Sequence, residues 1–558
     1  MEIASDRRRS ARWCAPAGVL CGYGLLLALT ASADPGDTRD YAKSITERFA
    51  GRDLFFWESG HLLWRPLGYL LVLSTHPARE GISSAAFYAD VVHSLTAISV
   101  AMGAVALLAF LAWAQRLGIA TIPAVGATLA LATTCAFLNY AQTGTAYLPA
   151  LAMLIVGLWS LTAADDRSTS RDIVPALSLA ASVLFWLPMM FVVPVAAASP
   201  LILRGDGRRR RIAAVWACVL SGALVVTAYL AASLVKRIYS LSDFRGWIII
   251  ASHGIQNSGG VSRAAIGLAR SVLSTEQLGI TAKRYLLGDP YSPATVADVV
   301  RAGLYRVALF YGAMGVLLVS LARKRRHARV LAFLVLTAIP VLSFALAWQG
   351  GDLERYFALF PALFLAIGVA LSGLPPRRST LCAAAIVVLL GAFNLHDFSR
   401  GEARRTCAML RTRLRSVPAS PSTHTLLVTL SADQLTSLRG RCPDARELDR
   451  PDALGVLGLF TPHSTDADQW RQLFAEHALD EWRNGGRVLI STGLLAARPP
   501  KEWHWAEGDD PRVHWRDFPA FFDRLAPGDL GRAENSFVEV VASAANAAVL
   551  DSLRRQVR

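Results

Sequence analysis

Apolar runs near 20 residues long, separated by short polar connections, recur through roughly the first 400 positions, and a run of about 20 crosses a hydrocarbon core of about 30 Å as a helix. The pattern predicts a polytopic α-helical membrane protein with about 11 transmembrane segments. The spans fall at 16–33, 86–114, 119–138, 145–163, 174–186 with 188–203, 212–234, 301–321, 329–348, 355–372 and 380–396. Trp186-Leu187-Pro188 interrupts the stretch from 174 to 203. Proline breaks helices, and at membrane depth it survives only where neighbours satisfy the freed backbone. As a single crossing, this stretch would put Arg204–Arg211 on the opposite side from the other basic loops. Two short helices that enter and return avoid that conflict.

Beyond about residue 400 the pattern changes to one rich in Asp, Glu, Arg, Pro and Trp. Strand-like runs occur at Thr425–Leu430, Arg487–Ser491 and Phe537–Val541, and amphipathic helical stretches at Asp466–Ala478 and Ala544–Arg555. The expected organisation is a membrane domain over 1–398, with outer loops 34–85 and 235–300. A small C-terminal extracytoplasmic α/β domain follows over 399–558. Gly485-Gly486 reads as a turn into a strand, not a phosphate loop. No internal repeat or low-complexity tract is visible.

The 558 residues are 53% hydrophobic and only 18% charged, with a mean hydropathy of +0.37. That charged share is below the quarter usual in soluble domains. The formal net charge of +15 would suit nucleic acid, but its placement does not. The clusters are Arg7–Arg9 with Arg12, Arg167 with Arg171, Arg204 with Arg208–Arg211, Arg323–Arg326 with Arg329, and Arg377–Arg378. All lie in short connections beside apolar spans, the positive-inside pattern. They set topology and meet membrane lipids, and no nucleic-acid partner is expected. Residues 1–15 are then cytoplasmic, and Pro16–Ala33 is read as an uncleaved first span rather than a signal peptide. Outside lie 34–85, the turn Asn139–Gly144, loop 235–300, the turn Gln349–Glu354 and everything after about 398.

Seven cysteines show no CxxC and no Cys/His spacing suited to zinc. Five lie in or near apolar spans and pack as small hydrophobes. Cys407 and Cys442 could pair if the C-terminal part is outside the cytoplasm.

The outer segments hold the candidate chemistry. Asp37 and Asp40 open a helical pattern in which Tyr41, Ile45 and Phe49 fall four apart and Gly51 ends the helix. Both carboxylates suit a helix N-terminus as cap and first-turn acid. One of them could equally serve as a general base or a metal ligand. His61 and Arg65 lie four apart in an amphipathic stretch flanked by Trp57 and Trp64. This stretch reads either as an interfacial anchor with tryptophans at headgroup level or as a phosphate-binding pair, since arginine offers bidentate donors. Arg355-Tyr356 opens a span after Gln349-Gly350-Gly351-Asp352-Leu353-Glu354. A cation at a helix start opposes the helix dipole, so Arg355 is either functional or held by Asp352 or Glu354. Loop 235–300 adds Arg245, Trp247, His253 and Lys283-Arg284-Tyr285, each weak alone.

Taken in order and by membrane side, these features resemble the GT-C glycosyltransferases, in particular bacterial relatives of protein O-mannosyltransferases and of lipid A aminoarabinose transferases. The residues carrying the resemblance are Asp37-Thr38-Arg39-Asp40-Tyr41, the turn Gly51-Arg52-Asp53, His61 with Arg65-Pro66-Leu67, Arg355-Tyr356 followed by Pro361, and the broken helices around Pro188. It covers about residues 1–400. Thr38 replaces the family's usual acid, and a single Pro66 stands for its paired prolines. The resemblance implies a bacterial inner-membrane enzyme, inverting, that moves a sugar from a polyprenyl-phosphate donor to a hydroxyl on a glycan, lipid or protein acceptor. It implies Asp37 as general base with Asp40 in support, and Arg355, Tyr356, Arg65 and His61 around the donor phosphate. A divalent metal is left open. The rival readings are a transporter or flippase, which would carry charges near the bilayer midplane, and a non-catalytic anchor for the C-terminal domain.

Overall fold

The computed structural model describes residues 2–31, 37–49, 51, 56–75, 85–163, 173–250, 260–275, 278–287, 293–398, 425–429, 454–458, 469–495, 517–525 and 537–555. Asp53, Arg167, Arg171, His253, Cys407 and Cys442 lie outside these residues. The helices before position 200 are α1 (Glu2–Leu29), α2 (Thr38–Phe49), α3 (Trp64–Thr75), α4 (Ala85–Arg116), α5 (Thr121–Ala132), α6 (Cys135–Tyr140), α7 (Tyr147–Ala163), α8 (Ile173–Phe185), α9 (Val193–Ala197) and α10 (Ser199–Arg204). There follow α11 (Arg208–Val235), α12 (Leu241–Ile250), α13 (Val261–Val272), α14 (Leu278–Leu287), α15 (Val296–Val299), α16 (Tyr305–Ala322), α17 (Ala328–Ala347), α18 (Phe360–Ser372) and α19 (Pro376–Asp397).

Among the described residues, six helices are long and apolar enough to cross a membrane: Asp90–Arg116, Arg208–Val235, Val296–Ala322, Ala328–Ala347, Leu353–Ser372 and Pro376–His396. Cys14–Leu29, Thr121–Ala132, Tyr147–Thr162 and Ile173–Phe185 are shorter apolar helices. These account for every expected span except 188–203. That stretch is built of short pieces, a 3₁₀ turn at Leu187–Phe191 followed by α9 and α10. Prolines at the starts of all three cannot continue a preceding helix, which is why the chain breaks there. The expected span 119–138 is also divided, because the Thr134 side chain caps a new helix by accepting from Phe137 N.

The chain divides into two compact units, Met1–Thr275 with Tyr305–Arg400, and Glu276–Leu304 with Gly401–Arg558. In the first, α7 packs on α4 and α8, while α5 packs on α18 and α19. Leu107, Phe110, Trp113, Leu148, Ile155, Phe360 and Phe364 form a dry interior. Val215, Leu230, Val316 and Val388 face outward, as a lipid-facing surface requires when every backbone group is satisfied inside its helix.

A buried asparagine ties this unit together. Asn394 Nδ2 donates to Thr133 O at 2.6 Å and Val272 O at 2.8 Å, while its Oδ1 accepts from Ser274 N at 2.8 Å. Asn394→Leu fills the volume but strands three buried backbone groups, each costing about 1–3 kcal/mol when left unpaired. A lowered melting temperature in detergent, by several degrees or more, is the expected result.

The second unit holds a sheet of four strands, β1 (Thr425–Thr429), β2 (Leu454–Gly458), β3 (Arg487–Ser491) and β4 (Phe537–Val540), in the order β2-β1-β3-β4. β1 pairs parallel with β2 and β3, and β4 pairs antiparallel with β3. α20 (Gln469–Arg483) and α22 (Ala544–Arg555) pack together, and α21 (Asp517–Phe522) adds Phe518 and Phe522 to a core shared with Val428, Phe474, Val488 and Ile490. β3 is buried through its middle three residues, as a strand covered on both faces should be.

Candidate active site

The site is built where α2 begins. The turn before α7 holds α2 and α3 together. Gly144 N donates to Thr38 Oγ1 at 2.9 Å, and Gly144 O accepts from Trp64 Nε1 at 2.9 Å. A Cβ at position 144 would lie 2.6 Å from Leu95 Cβ and 2.8 Å from Thr38 Cγ2, so only glycine fits this approach. The clamp sets Tyr147, three residues later, against Asp37. The Tyr147 hydroxyl donates to Asp37 Oδ2 at 2.6 Å, and the Tyr41 hydroxyl donates to the same oxygen at 3.2 Å. Burial first, and then the facing Asp37 carboxylate, hold the Tyr41 hydroxyl protonated, well above the usual tyrosine range.

His61 packs edge-on against both tyrosine rings, at centroid distances of 5.5 Å to Tyr41 and 5.4 Å to Tyr147. Its Nδ1 lies 2.8 Å from Phe185 O. A carbonyl can only accept, so Nδ1 carries the proton. Burial pushes the His61 pKa down despite the nearby Glu58 and Asp37 carboxylates. The ring packs as a wedge between the two tyrosines.

Because the folded state holds this base less readily protonated than the unfolded chain does, its stabilising contribution is complete above the ordinary value of 6.5 and is lost as pH falls below it. Thermal melts over a falling pH series should show this loss, and His61→Gln should flatten the slope.

Arg65 forms an ion pair with Glu58, and its guanidinium stacks 4.7 Å from the Tyr41 ring centre. Arg65 and Trp64 are buried, and Trp57 is half-buried with its carbonyl accepting from Trp247 Nε1 at 2.9 Å. The two readings of this segment divide by residue, since Leu67, Leu70 and Leu73 of α3 stay exposed while Trp64, His61 and Arg65 turn inward. Trp64 is spent on Gly144 inside the protein, and the polar groups face the Asp37 site rather than lipid headgroups. The segment is not one helix either. A 3₁₀ turn at Ser59–His61 precedes α3, and this break turns His61 toward Tyr41.

The second half of the site comes from the turn before α18. Tyr140 donates to Glu354 Oε2 at 2.6 Å, and its ring lies 4.9 Å from that of Tyr147. Asp37, Tyr147, Tyr140, Glu354 and Arg355 thus form one chain of contacts. Arg355 Nη2 donates to Gln349 and lies 3.3 Å from Asp352 Oδ2, while Nε lies 3.7 Å from Glu354 Oε1. The guanidinium sits 5.6 Å from the Phe344 ring centre and 5.7 Å from that of Trp348. The local acids therefore do hold Arg355. Even so, among the described residues Nε of Arg355, Nε of Arg65 and Nε1 of Trp348 are buried donors without a hydrogen-bond acceptor, as groups that take an anion would be.

Tyr356 has a different place. Its hydroxyl lies 2.8 Å from Ala264 O and 2.6 Å from Gly350 O, so it fastens the 350 turn to α13. A Cβ on Gly267 would come within 1.9 Å of Gly350 O, which marks how closely that turn is seated. Asp40 is exposed, and its carbonyl accepts from Ser44 Oγ at 2.8 Å. Glu58, Tyr140 and Tyr147 are the site members that residue patterns did not single out, and Glu354 was expected only as a counter-charge for Arg355. The available signal was one tyrosine inside the polar turn 139–144 and a second just after it. Among the described residues no group of three His, Cys, Asp or Glu side chains converges to hold a metal ion.

No family model matches the chain, and no curated protein matches it. Solved structures do. ArnT from Cupriavidus metallidurans bound to undecaprenyl phosphate is 14% identical with a TM-score of 0.50, over 96% of this chain and 98% of that one. ArnT from the same organism in the apo state aligns at a TM-score of 0.52 and 14% identity, over 97% and 99%. The archaeal oligosaccharyltransferase AglB from Archaeoglobus fulgidus, in complex with an inhibitory peptide and a dolichol-phosphate, aligns at 0.50 and 14%, over 97% of this chain and 78% of that one. At this identity the likeness is one of fold. The chain has the fold of ArnT and AglB, with six helices long and apolar enough to cross a membrane and a small C-terminal α/β region, and over the first 400 residues this is the fold that the sequence resemblance implied.

Proposed function

We propose that the chain is an inverting glycosyltransferase that takes a sugar from a polyprenyl-phosphate carrier and passes it to a hydroxyl acceptor at the extracytoplasmic face of the inner membrane. The C-terminal α/β domain lies on the same side. Asp37 is the general base. The acceptor oxygen attacks the anomeric carbon as its proton moves to the Asp37 carboxylate. The bond from that carbon to the phosphate oxygen breaks, and its electron pair leaves with the polyprenyl phosphate. The departing phosphate gains one negative charge, which Arg355 and then Arg65 stabilise. Preorganised donors in a water-poor site do this most strongly. No general acid is needed, because the leaving group is already a phosphate.

The observation that carries this reading is the chain of contacts from Asp37 through Tyr147, Tyr140 and Glu354 to Arg355. It joins a candidate base to a candidate anion-binding cation. The fold supports it, since structures of two proteins sharing that fold hold undecaprenyl phosphate and a dolichol-phosphate. These ionisable groups lie in turns and at helix ends and not in the middle of the long apolar helices, which favours an interfacial transfer site.

Purified protein in lipid vesicles tests the donor class. Sugar release from labelled polyprenyl-phosphate sugars is expected, with none from nucleotide sugars. Turnover of a nucleotide sugar without any lipid carrier would contradict the reading.

A further inference from the structure

Resting on that reading, the geometry points to Tyr147 as the positioning residue that fixes which oxygen of Asp37 receives the proton. Both tyrosine hydroxyls donate to Oδ2, Tyr147 at 2.6 Å and Tyr41 at 3.2 Å, so Oδ1 is the oxygen left for the acceptor. The two donors are not equivalent. Tyr41 lies on the same helix as Asp37, four residues on, and moves with it. Tyr147 comes from a different helix, 110 residues away in sequence, and is the contact that ties the carboxylate to the rest of the bundle.

The Tyr147 ring is itself immobilised. His61 at 5.4 Å, Tyr140 at 4.9 Å and Trp186 at 5.6 Å meet it edge-on, and the residue is only 7% exposed. A half-buried carboxylate at a helix start would otherwise swing about its last torsion and present either oxygen. A hydroxyl on a ring held by three neighbours removes that freedom. The merely structural alternative is that a buried tyrosine hydroxyl needs some acceptor and Asp37 happens to supply it. The two differ in what removing the hydroxyl does.

Tyr147→Phe keeps the ring and its packing. The half-buried Asp37 carboxylate regains water in place of the lost donor, so the melting temperature should hold. Transfer should suffer in kcat with KM unchanged, by roughly 10- to 100-fold, the usual cost of a misplaced reacting group. Tyr41→Phe should cost less, because the remaining Tyr147 contact still fixes the carboxylate. The decisive comparison uses the Asp37→Asn protein. If Tyr147 acts through Asp37, adding Tyr147→Phe to Asp37→Asn leaves the residual rate unchanged.

A further loss in the Asp37→Asn protein, or a loss in the single variant that appears in KM or in melting temperature instead of kcat, would show a packing role and overturn the inference. Full activity of Tyr147→Phe would do the same while leaving the glycosyltransferase reading standing. Full activity of Asp37→Asn would instead strike at the assignment of the base itself. The full-length protein and a polyprenyl-phosphate sugar donor serve for all four measurements.

Discussion

Asp37→Asn should lower kcat for sugar transfer by roughly 10²–10⁴-fold, the range expected for removing a general base, with folding unchanged. The substitution is informative because asparagine caps a helix about as well as aspartate. A purely capping Asp37 therefore predicts near wild-type activity, and a base predicts a large loss. The amide oxygen can still accept from Tyr41 and Tyr147, which now meet Asp37 Oδ2, so the site's geometry survives. What disappears is the capacity to take a proton. Donor affinity should be little changed, so the loss belongs in kcat. Transfer rates with saturating polyprenyl-phosphate sugar, together with melting curves, separate the outcomes.

Arg355 carries the second large effect. Removing one donor aimed at developing negative charge typically costs about 10²–10³-fold, and Arg355→Ala should lose at least that. That variant also strips the counter-charge from Glu354, which is 7% exposed at its side chain, and breaking a buried pair costs about 3–5 kcal/mol. Its activity loss will be mixed with instability. Arg355→Lys is the cleaner variant. It keeps the positive charge between Asp352 and Glu354 but loses the planar fork, including the Nε donor that has no hydrogen-bond acceptor among the described residues. Melting temperature should stay near wild type, while kcat falls about tenfold or more, because a point charge does not reproduce bidentate phosphate recognition. Asp40→Asn, in contrast, should leave transfer within about twofold, since Asp40 is exposed and substitutions at exposed positions usually have small effects.

The membrane helices were legible because long apolar runs have few alternatives, and the charge rule placed the 34–66 segment and Arg355 on one side. The stretch around Trp64 reads two ways for a physical reason. Amphipathic sequence with tryptophans looks the same whether its apolar face meets lipid or other helices, and here Trp64 finds its acceptor at Gly144, 80 residues away. β2 was overlooked because Leu454-Gly455-Val456-Leu457-Gly458 has glycines where strands disfavour them. Asp37 and Arg355 stood out as charges near a membrane. Tyr140 and Tyr147 did not, since an aromatic in an apolar span ordinarily reads as core. Their role exists only through contacts 110 and 214 residues apart in sequence, which no local pattern encodes.

The central claim is that Asp37 and Arg355 serve one transition state. Transfer from a polyprenyl-phosphate sugar, measured for the wild type, Asp37→Asn, Arg355→Lys and the double variant, tests it most directly. Residues that act as a unit are far from additive, so the double variant should be about as slow as the slower single variant. If the losses multiply in full, or if neither single variant loses transfer, the two residues do not share a site.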